Sequence, residues 1–384
     1  MTRSTLFTSL RVGEVDVPNR VWMPPMCMYS ARSAQDVQVG WGQPTDFHMI
    51  HYGARAKGGV GAVIVEATGV VPEGRISVNC LSLHSDDQIP AFTRLAQMIH
   101  EGGAKAFVQL IHAGRKASTK TDFLGDWHID AADGGWETVG ASAVDLGDDI
   151  PVPRELTEED LEHLPALFAA AARRAMEAGF DGVQIHGAHG YLLHQFLSPA
   201  TNQRSDGWGG SFEGRTRLLR EVVQAVRPAI GEGALMVRLS ATDWTAEYPE
   251  DGRPGWTLDD TVRLGPLLVD DGADALCISS GGNIGDAKIP WREPGYQVFL
   301  ARAVREGLRS AGLETPVSVA GAILDADQAE EVLASGSADA VEVGRPLLTD
   351  PMLPHVWRTR LGEEPDFGQP AGMPLQYRRG AARA

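Results

Sequence analysis

Eight short apolar runs recur along the 384-residue chain, and each is followed by a segment with the spacing of an amphipathic helix. Most of the runs are apolar without interruption, which is typical of parallel strands covered on both faces. The predicted strands are Arg20–Pro25, Ala62–Ala67, Lys105–Leu110, Gly182–His186, Leu235–Ser240, Ala275–Ser279, Val317–Ala320 and Val341–Gly344. Eight strand–helix units in one chain predict an α/β fold of the (β/α)8 TIM barrel class.

A doubly wound sheet followed by a second domain would also use strand–helix units. Such a sheet ordinarily carries the G-x-G-x-x-G fingerprint or a P-loop after a strand, and the sequence contains neither pattern. No Pro/Gly/Ser-rich linker divides the chain. We therefore predict a single barrel domain over residues 1–384, with an irregular insertion at about 116–153 that caps the barrel mouth and a C-terminal tail at about 364–384.

The clearest helical segment begins after Thr157, where three acidic residues form a typical first turn. Its predicted apolar face consists of Leu161, Leu164, Leu167, Phe168, Ala171 and Met176. Pro165 interrupts this pattern, and it either kinks the helix or marks a later start.

The composition argues against several classes of partner. A formal net charge of −17 opposes binding to polyanions, so we expect neither nucleic acid nor an anionic membrane surface as a partner. No apolar run approaches the ~20 residues of a membrane span and no signal-peptide pattern is present, which predicts a cytoplasmic protein. Cys27, Cys80 and Cys277 are far apart in sequence, so we expect reduced thiols and no metal site.

Active sites of such barrels lie at the carboxyl ends of the strands, where this chain collects polar residues and glycines. They include Met26, Cys27, Ala67, Gln109, His186, His189, Tyr191, Arg238, Gly321, Gly344 and Arg345. The glycines after the last two strands, each followed by a helix, are typical of a phosphate site, and Arg345 adds a positive charge. Gln109 and Arg238 can contact the polar edge of a flat ring. This set favours a phosphorylated aromatic cofactor over a sugar or a metal.

Each of these residues also has a simpler interpretation. His186 and His189 have the spacing of two zinc ligands, although zinc would need a third protein ligand nearby. Tyr191 would be a core residue, Cys27 a small buried hydrophobe and Arg238 a barrel ion-pair residue. The glycines would serve tight turns, a role compatible with phosphate binding. The histidines interpreted as structural or surface residues are His48, His51, His84, His100 and His112.

Residues 186–215 combine a triplet, His186, His189 and Tyr191, with a Ser-Pro-x-x-Asn-x-Arg-x-Asp-x-aromatic-Gly-Gly-Ser run over residues 198–211. This combination resembles the Old Yellow Enzyme family of FMN-dependent ene-reductases. Further segments resemble that family in the family's own order. They are LFTSLRVGEVDVPNRVWMPPMCMYS, QLIHAGRK, VRLSATD and VEVGRPLLTDP.

The resemblance implies FMN as the cofactor and NADPH or NADH as the reductant. Carried over residue by residue, it assigns FMN binding to Pro25, Met26, Cys27, Ala67, Gln109, Arg238, Gly321, Gly344 and Arg345. It implies that His186 and His189 hold the carbonyl oxygen of the substrate and that Tyr191 donates a proton. Cys27 is expected beside the flavin, where it would tune the redox behaviour and contact the substrate.

The resemblance also implies further substrate contacts. Tyr29 would lie beside Cys27, and Trp291 would either line the substrate pocket or cap the barrel. Arg379, in the LQYRRG tail, would reach the active site of a neighbouring subunit in a homodimer or homotetramer.

Within the family, three features resemble the bacterial xenobiotic-reductase-like branch. The second histidine of the triplet, the cysteine after Pro-Met and the QYxRG tail are the features shared with that branch. The chain departs from the family pattern at Gly214, where Asn is usual, and at Trp208, where Tyr is common. No aromatic residue follows Gly380 either. These departures concern local packing and the subunit contact.

The chemistry of alkene reduction explains why one loop would collect so many donors. A hydride adds to an enone only if the negative charge on the carbonyl oxygen is stabilised, and losing one donor typically costs about 10² to 10³ in rate. Two imidazoles supply such donors, and a tyrosine supplies the proton. The predicted function is an NAD(P)H-dependent reductase of enones, with quinones and nitro compounds as further candidate substrates. The alternatives are a non-catalytic flavin-binding barrel and a dienoyl-CoA reductase-like relative without an iron–sulfur cluster.

Overall fold

The eight predicted strands form one closed barrel in the computed structural model, which describes residues 4–33, 40–121, 128–147 and 150–381. All eight are parallel, and the eighth pairs with the first to close the barrel. In chain order the barrel strands are Val21–Met23, Ala62–Gly69, Lys105–Ile111, Gly182–Gly187, Ala234–Ser240, Ala275–Ser279, Val317–Val319 and Ala340–Glu342. The predicted (β/α)8 TIM barrel is therefore confirmed.

Helices surround the barrel. In chain order they are Asp46–Lys57, Ile89–Glu101, Glu158–Glu177, Leu192–Leu197, Phe212–Ala229, Leu258–Asp270, Val298–Ser310, Ala326–Ala334, Arg345–Thr349, Leu353–Arg360 and Arg378–Ala381. The helix Glu158–Glu177 begins where the sequence predicts, because Thr157 Oγ1 accepts a hydrogen bond from the Asp160 N–H at 3.1 Å. Pro165 lies inside this helix and does not mark a later start. The prediction for Leu167 was wrong, since it lies at the edge of the apolar stripe and is exposed.

A short hairpin closes the amino-terminal end of the barrel. Its strands, Leu10–Val12 and Val15–Val17, are antiparallel, and their valines pack against Trp22 and Phe107 inside the barrel. This end is therefore an apolar plug, and the polar residues lie towards the opposite end.

The interior of the barrel changes from apolar to polar along its axis. Residues two apart on a strand face the same side, so the positions after the apolar layer face the barrel mouth. In this way Phe107 is followed by Gln109, and Met236 by Arg238. The polar layer comprises Gln109, Gln184, Arg238, Ser318 and Glu342, all of them buried.

The predicted insertion contains the short strand Val139–Gly140, which pairs with Arg154–Glu155 just after it. Trp136, in the same segment, packs with Tyr191 against a small apolar cluster at the mouth. The predicted insertion therefore contributes Trp136 to the surroundings of Tyr191. Over the described ranges, no helix has the length and apolar character needed to cross a membrane.

Candidate active site

The fourth barrel strand contains a buried histidine near its carboxyl end. His186 Nδ1 accepts a hydrogen bond from the Ala188 N–H at 3.2 Å. Burial, and then the positive charge of Arg238, lower the pKa of His186 well below its ordinary value, so the ring is neutral at neutral pH. Because Nδ1 is an acceptor, the ring proton lies on Nε2, which is therefore a hydrogen-bond donor.

His189 is held in a left-handed backbone conformation, with φ of 59°. Its N–H donates to Ser240 Oγ at 3.0 Å, and its carbonyl oxygen accepts from Lys116 Nζ at 2.9 Å. Its Nε2 lies 2.7 Å from Ser279 Oγ, at the end of the sixth strand. Burial, and then the charge of Arg238, also lower the pKa of His189 well below its ordinary value, so this second imidazole is neutral too.

The loops after the fourth and sixth strands approach so closely that their backbones are in contact. Gly190 has φ of 73°, and a Cβ atom there would lie 2.2 Å from the Gly282 carbonyl oxygen. Only glycine fits this approach. Lys116 Nζ donates to the Gly282 carbonyl oxygen at 2.8 Å as well as to that of His189, so one ammonium group joins both loops.

The three rings of the triplet lie together on one side of the mouth. The centroid of the His186 ring is 5.1 Å from that of His189 and 4.9 Å from that of Tyr191, and both pairs are close to perpendicular. Lys116 Nζ lies 5.4 Å from the centroid of the Tyr191 ring. The structure therefore brings the predicted triplet together and adds a cation beside its tyrosine.

Cys27 packs against a small apolar cluster that includes Ala67 and Cys80, and Tyr29 and Tyr191 pack against the same cluster. A hydrogen bond with the Cys80 thiol, together with burial, raises the pKa of Cys27 well above its ordinary range. All three cysteines of the chain are free thiols. The structure thus brings Cys27 and Cys80 together, although they are far apart in sequence.

Two hydrogen-bond donors in the polar layer of the barrel have no acceptor among the described residues. Gln109 Nε2 donates to Gln184 Oε1 at 2.6 Å, and Arg238 Nη1 donates to Glu342 Oε2 at 2.8 Å. Within the described ranges, Gln184 Nε2 and Arg238 Nε have no hydrogen-bond partner although both are buried. Buried donors without partners are rare, so these two favour a ligand with acceptor atoms above the layer. Arg238 is thus a barrel ion-pair residue and also a candidate ligand contact.

A cavity of about 320 Å³ lies beside this layer, between the ends of the seventh and eighth strands. It is lined by residues that include Met26, Trp291, Gly321, Glu342, Gly344 and Arg345. The side chain of Arg345 is exposed and makes no ion pair with a described carboxylate. Trp291 is half-exposed and lies at the rim of this cavity. Glycine backbone next to a free guanidinium group is typical of a phosphate site.

Arg379 does not line the cavity described above, and the alternative interpretation of the two histidines as zinc ligands needs a third ligand nearby. Arg379 belongs to the exposed C-terminal helix Arg378–Ala381, and the cavity beside the polar layer does not include it. Across the described ranges, no group of three or more His, Cys, Asp or Glu side chains is arranged to hold a metal ion, so the two histidines lack the third ligand that zinc requires.

The sequence matches the family model for the NADH:flavin oxidoreductase / NADH oxidase family over residues 5–363. The chain belongs to this family. It is 40% identical over 368 residues to an NADH:flavin oxidoreductase of Gibberella zeae, and the match covers 94% of the chain and 86% of that relative. The predicted resemblance to the Old Yellow Enzyme family is therefore confirmed as membership of the NADH:flavin oxidoreductase / NADH oxidase family.

Solved structures are similar along nearly the whole chain. Morphinone reductase has a TM-score of 0.73 at 28% identity, covering 94% of the chain and 92% of that structure. An old yellow enzyme homologue from Zymomonas mobilis has a TM-score of 0.74 at 28% identity, covering 94% and 93%. A 2-naphthoyl-CoA reductase has a TM-score of 0.80 at 26% identity over 94% of the chain, and the chain spans about half of its length, 52%.

The residues at the mouth fit the flavin that the NADH:flavin oxidoreductase family implies. The free donors of Gln184 and Arg238 suit the acceptor-rich edge of a flavin ring. The cavity with Gly321, Gly344 and Arg345 suits a phosphate group. Pro25 lies between two residues, Pro24 and Met26, that line the same cavity.

Several residues of the candidate active site were not predicted from the sequence. They are Lys116, Cys80, Trp136, Gln184, Ser279, Ser318 and Glu342. Gln184 and Glu342 could have been found from the two-residue period of the strands, since each lies two positions beyond a small residue that faces the barrel interior. Cys80 and Trp136 carry no such signal, because they reach the mouth from long loops.

Proposed function

We propose that the protein is an FMN-dependent NAD(P)H oxidoreductase that reduces the C=C bond of α,β-unsaturated carbonyl compounds. The observation that supports this proposal best is the pair of neutral imidazoles, His186 and His189, beside Tyr191 at the mouth of the barrel. Neutral imidazoles donate hydrogen bonds without a fixed charge, which suits an oxygen that becomes negative only during the reaction.

The two histidines would hold the carbonyl oxygen of the substrate. His186 donates from Nε2, because its Nδ1 is occupied by the Ala188 N–H. His189 can donate from Nδ1 when Ser279 donates its own proton to His189 Nε2. The other acceptor near the Ser279 hydroxyl is Gln297 Oε1 at 3.3 Å, and the shorter distance of 2.7 Å to His189 Nε2 favours donation to the histidine.

Tyr191 would donate a proton to the α carbon of the substrate. A positioned acid of this kind contributes about 10² to 10⁴ to the rate. The ammonium group of Lys116, 5.4 Å from the tyrosine ring centroid, would stabilise the negative charge that the phenol acquires as it loses its proton.

FMN, when bound, would supply the hydride that adds to the β carbon. The residues proposed to hold it are Pro25, Met26, Cys27, Ala67, Gln109, Gln184, Arg238, Gly321, Gly344 and Arg345. NADPH or NADH would be the reductant. A solved structure of morphinone reductase contains tetrahydroNAD, which supports a nicotinamide coenzyme here.

The remaining site residues belong to the same proposal. Tyr29 and Trp291 would line the substrate pocket, since they lie in the mouth cluster and at the cavity rim respectively. Arg379 would act in a neighbouring subunit of a homodimer or homotetramer, because its helix is exposed in the single chain. A single barrel domain, a cytoplasmic location and membership of the bacterial xenobiotic-reductase-like branch stay predictions.

The proposal is tested by anaerobic titration of protein reconstituted with FMN. We expect NADH or NADPH to bleach the flavin absorbance and 2-cyclohexenone to restore it. Protein that takes up no FMN would overturn the proposal. FMN that neither nicotinamide reduces would favour a non-catalytic flavin-binding barrel, and reoxidation by aromatic acyl-CoA esters but not by simple enones would favour the acyl-CoA reductase alternative.

The oxygen-binding role of the histidines is tested with a phenol, whose phenolate oxygen occupies the place of the substrate oxygen. We expect the variants His186→Ala and His189→Ala each to weaken the charge-transfer complex between the phenol and oxidised FMN. Each removes one of two donors, so the expected loss of affinity is about tenfold or more. Unchanged phenol affinity in both variants would contradict the assignment.

A further inference from the structure

A buried carboxylate lies next to the arginine of the flavin site. Glu342, on the eighth strand, is 2% exposed, and its Oε2 accepts a hydrogen bond from Arg238 Nη1 of the fifth strand at 2.8 Å. Its Oε1 accepts from Ser318 Oγ at 2.7 Å. Both carboxylate oxygens are therefore occupied, and the ion pair spans the barrel interior between strands that are not neighbours. The short, buried contact fixes the guanidinium group in one place.

The same contact leaves part of the guanidinium group available. Arg238 Nε is buried and has no partner within the described ranges, and Glu342 itself lines the cavity that includes Gly321 and Gly344. Arg238 also lies opposite His186 in the register of the fourth and fifth strands. The carboxylate thus binds Nη1 of Arg238 and leaves the buried Nε–H available to a ligand at the barrel mouth.

We propose that Glu342 is a positioning residue that orients Arg238 and, through its negative charge, lowers the reduction potential of bound FMN. This inference rests on the proposed function. A two-electron reduction that leaves the flavin ring anionic adds negative charge beside Arg238, which a lone guanidinium group would stabilise. A carboxylate in direct contact with that guanidinium group cancels much of this attraction, so the reduced flavin becomes a stronger hydride donor.

The test is the nearly isosteric variant Glu342→Gln, reconstituted with FMN. Sulfite adds reversibly to oxidised flavin and leaves an anionic ring, so its Kd reports the same electrostatic environment as the reduction potential. We expect the Kd for sulfite to fall by about tenfold in the variant, because one unit of negative charge is removed at short range. A parallel dye equilibration should give a potential higher by about 30 mV, the equivalent of tenfold for a two-electron couple.

Two matched variants separate charge from structure. Ser318→Ala removes a neutral hydrogen bond to the same carboxylate and keeps its charge, so the sulfite Kd should stay within about threefold of that of the unaltered protein. Glu342→Asp keeps the charge on a shorter side chain and should also stay within that range. This second variant still tests the proposal if Glu342→Gln does not retain FMN. A tenfold fall in Kd for Glu342→Asp would contradict the role of charge.

Failure of this inference is distinct from failure of the proposed function. If the unaltered protein binds no FMN, the proposed function fails. If the unaltered protein binds FMN and reduces enones, but Glu342→Gln has the same sulfite Kd and potential, only the role of Glu342 is overturned. A lower unfolding temperature of the variant without a change in reduction potential would mean that Glu342 only stabilises the fold of the barrel.

Discussion

Asp243 and His194 form a fully buried pair beneath the triplet loop, with Asp243 Oδ1 3.3 Å from His194 Nε2. His194 Nδ1 accepts a hydrogen bond from the Gly190 N–H at 3.0 Å, so the pair holds the residue between His189 and Tyr191. Burial alone would raise the pKa of Asp243, but His194 and hydrogen bonds from its neighbours lower it. The carboxylate is therefore charged, and through His194 it holds the backbone of the triplet loop at Gly190.

We expect Asp243→Asn to destabilise the protein by about 2 kcal/mol, because the buried donors Ser198 Oγ and Trp256 N–H lose a charged acceptor. Urea unfolding measures this loss. The control is Asp286→Asn, which breaks an exposed contact with Arg253 and should have little effect on stability. Equal losses in both variants would show that the Asp243–His194 pair has no special role in stability.

The barrel was predictable from the sequence because its determinants are local. A parallel strand covered on both faces must be apolar, so segments such as Ala275–Ser279 could be placed at their observed bounds. The triplet was equally accessible, since three residues within one loop must lie close together. Physical constraints of this kind act over a few residues of chain.

The partners of the site residues were not predictable, because they depend on how distant strands and loops meet. Arg238 could be placed at the mouth, yet its contact with Glu342 crosses the barrel and depends on the register of several strands. Lys116 reaches the His189 carbonyl from the loop after the third strand. Cys27 meets Cys80 only because two loops fold over the mouth.

Ser279 should determine which nitrogen of His189 carries the proton. In Ser279→Ala, His189 Nε2 loses its partner at 2.7 Å, so the ring can adopt the tautomer that no longer donates to the substrate oxygen. We expect phenol affinity to fall by about tenfold, the cost of one unsatisfied buried group. The control is Ser335→Ala, at the end of the helix Ala326–Ala334, which should leave phenol affinity unchanged. Equal phenol affinity in the Ser279 variant and the unaltered protein would contradict this role.

Tyr191→Phe should slow reoxidation of the reduced protein by enones by about 10² to 10⁴, since the proton donor is lost. Reduction by the nicotinamide should stay unchanged, because that step needs no proton from this residue. Stopped-flow measurement of the two half-reactions separates these effects. Tyr248→Phe, next to Trp244, serves as the control. An equal loss in both half-reactions would show that Tyr191 only shapes the pocket.

Lys116 should give the reaction with enones a pH dependence. Burial, and then the nearby charge of Arg115, lower the pKa of Lys116 to about 8. The ammonium group beside Tyr191 is therefore present below that pH and lost above it, so the rate of reoxidation should fall as pH rises through this value. In Lys116→Met, reoxidation by enones should be slow at every pH, and its rate should not fall near pH 8. A fall near this pH that persists in the variant would come from the titration of another group.

His112 should make the fold sensitive to acid. Burial lowers its pKa to about 4, and its Nδ1 accepts the Gly114 N–H at 3.1 Å, so the folded protein holds this ring neutral. The unfolded chain binds the proton at its ordinary pKa near 6.5, so the stabilising contribution is complete above that value and is lost as pH falls towards 4. For this one residue the loss of stability at pH 5 is about 2 kcal/mol relative to pH 7.5.

Urea unfolding at the two pH values measures this loss. The difference in unfolding free energy between the two pH values should be smaller in His112→Gln than in the unaltered protein. The control variant His163→Gln, on an exposed helical surface, should behave like the unaltered protein. The same pH difference in all three proteins would show that the acid sensitivity comes from other buried groups.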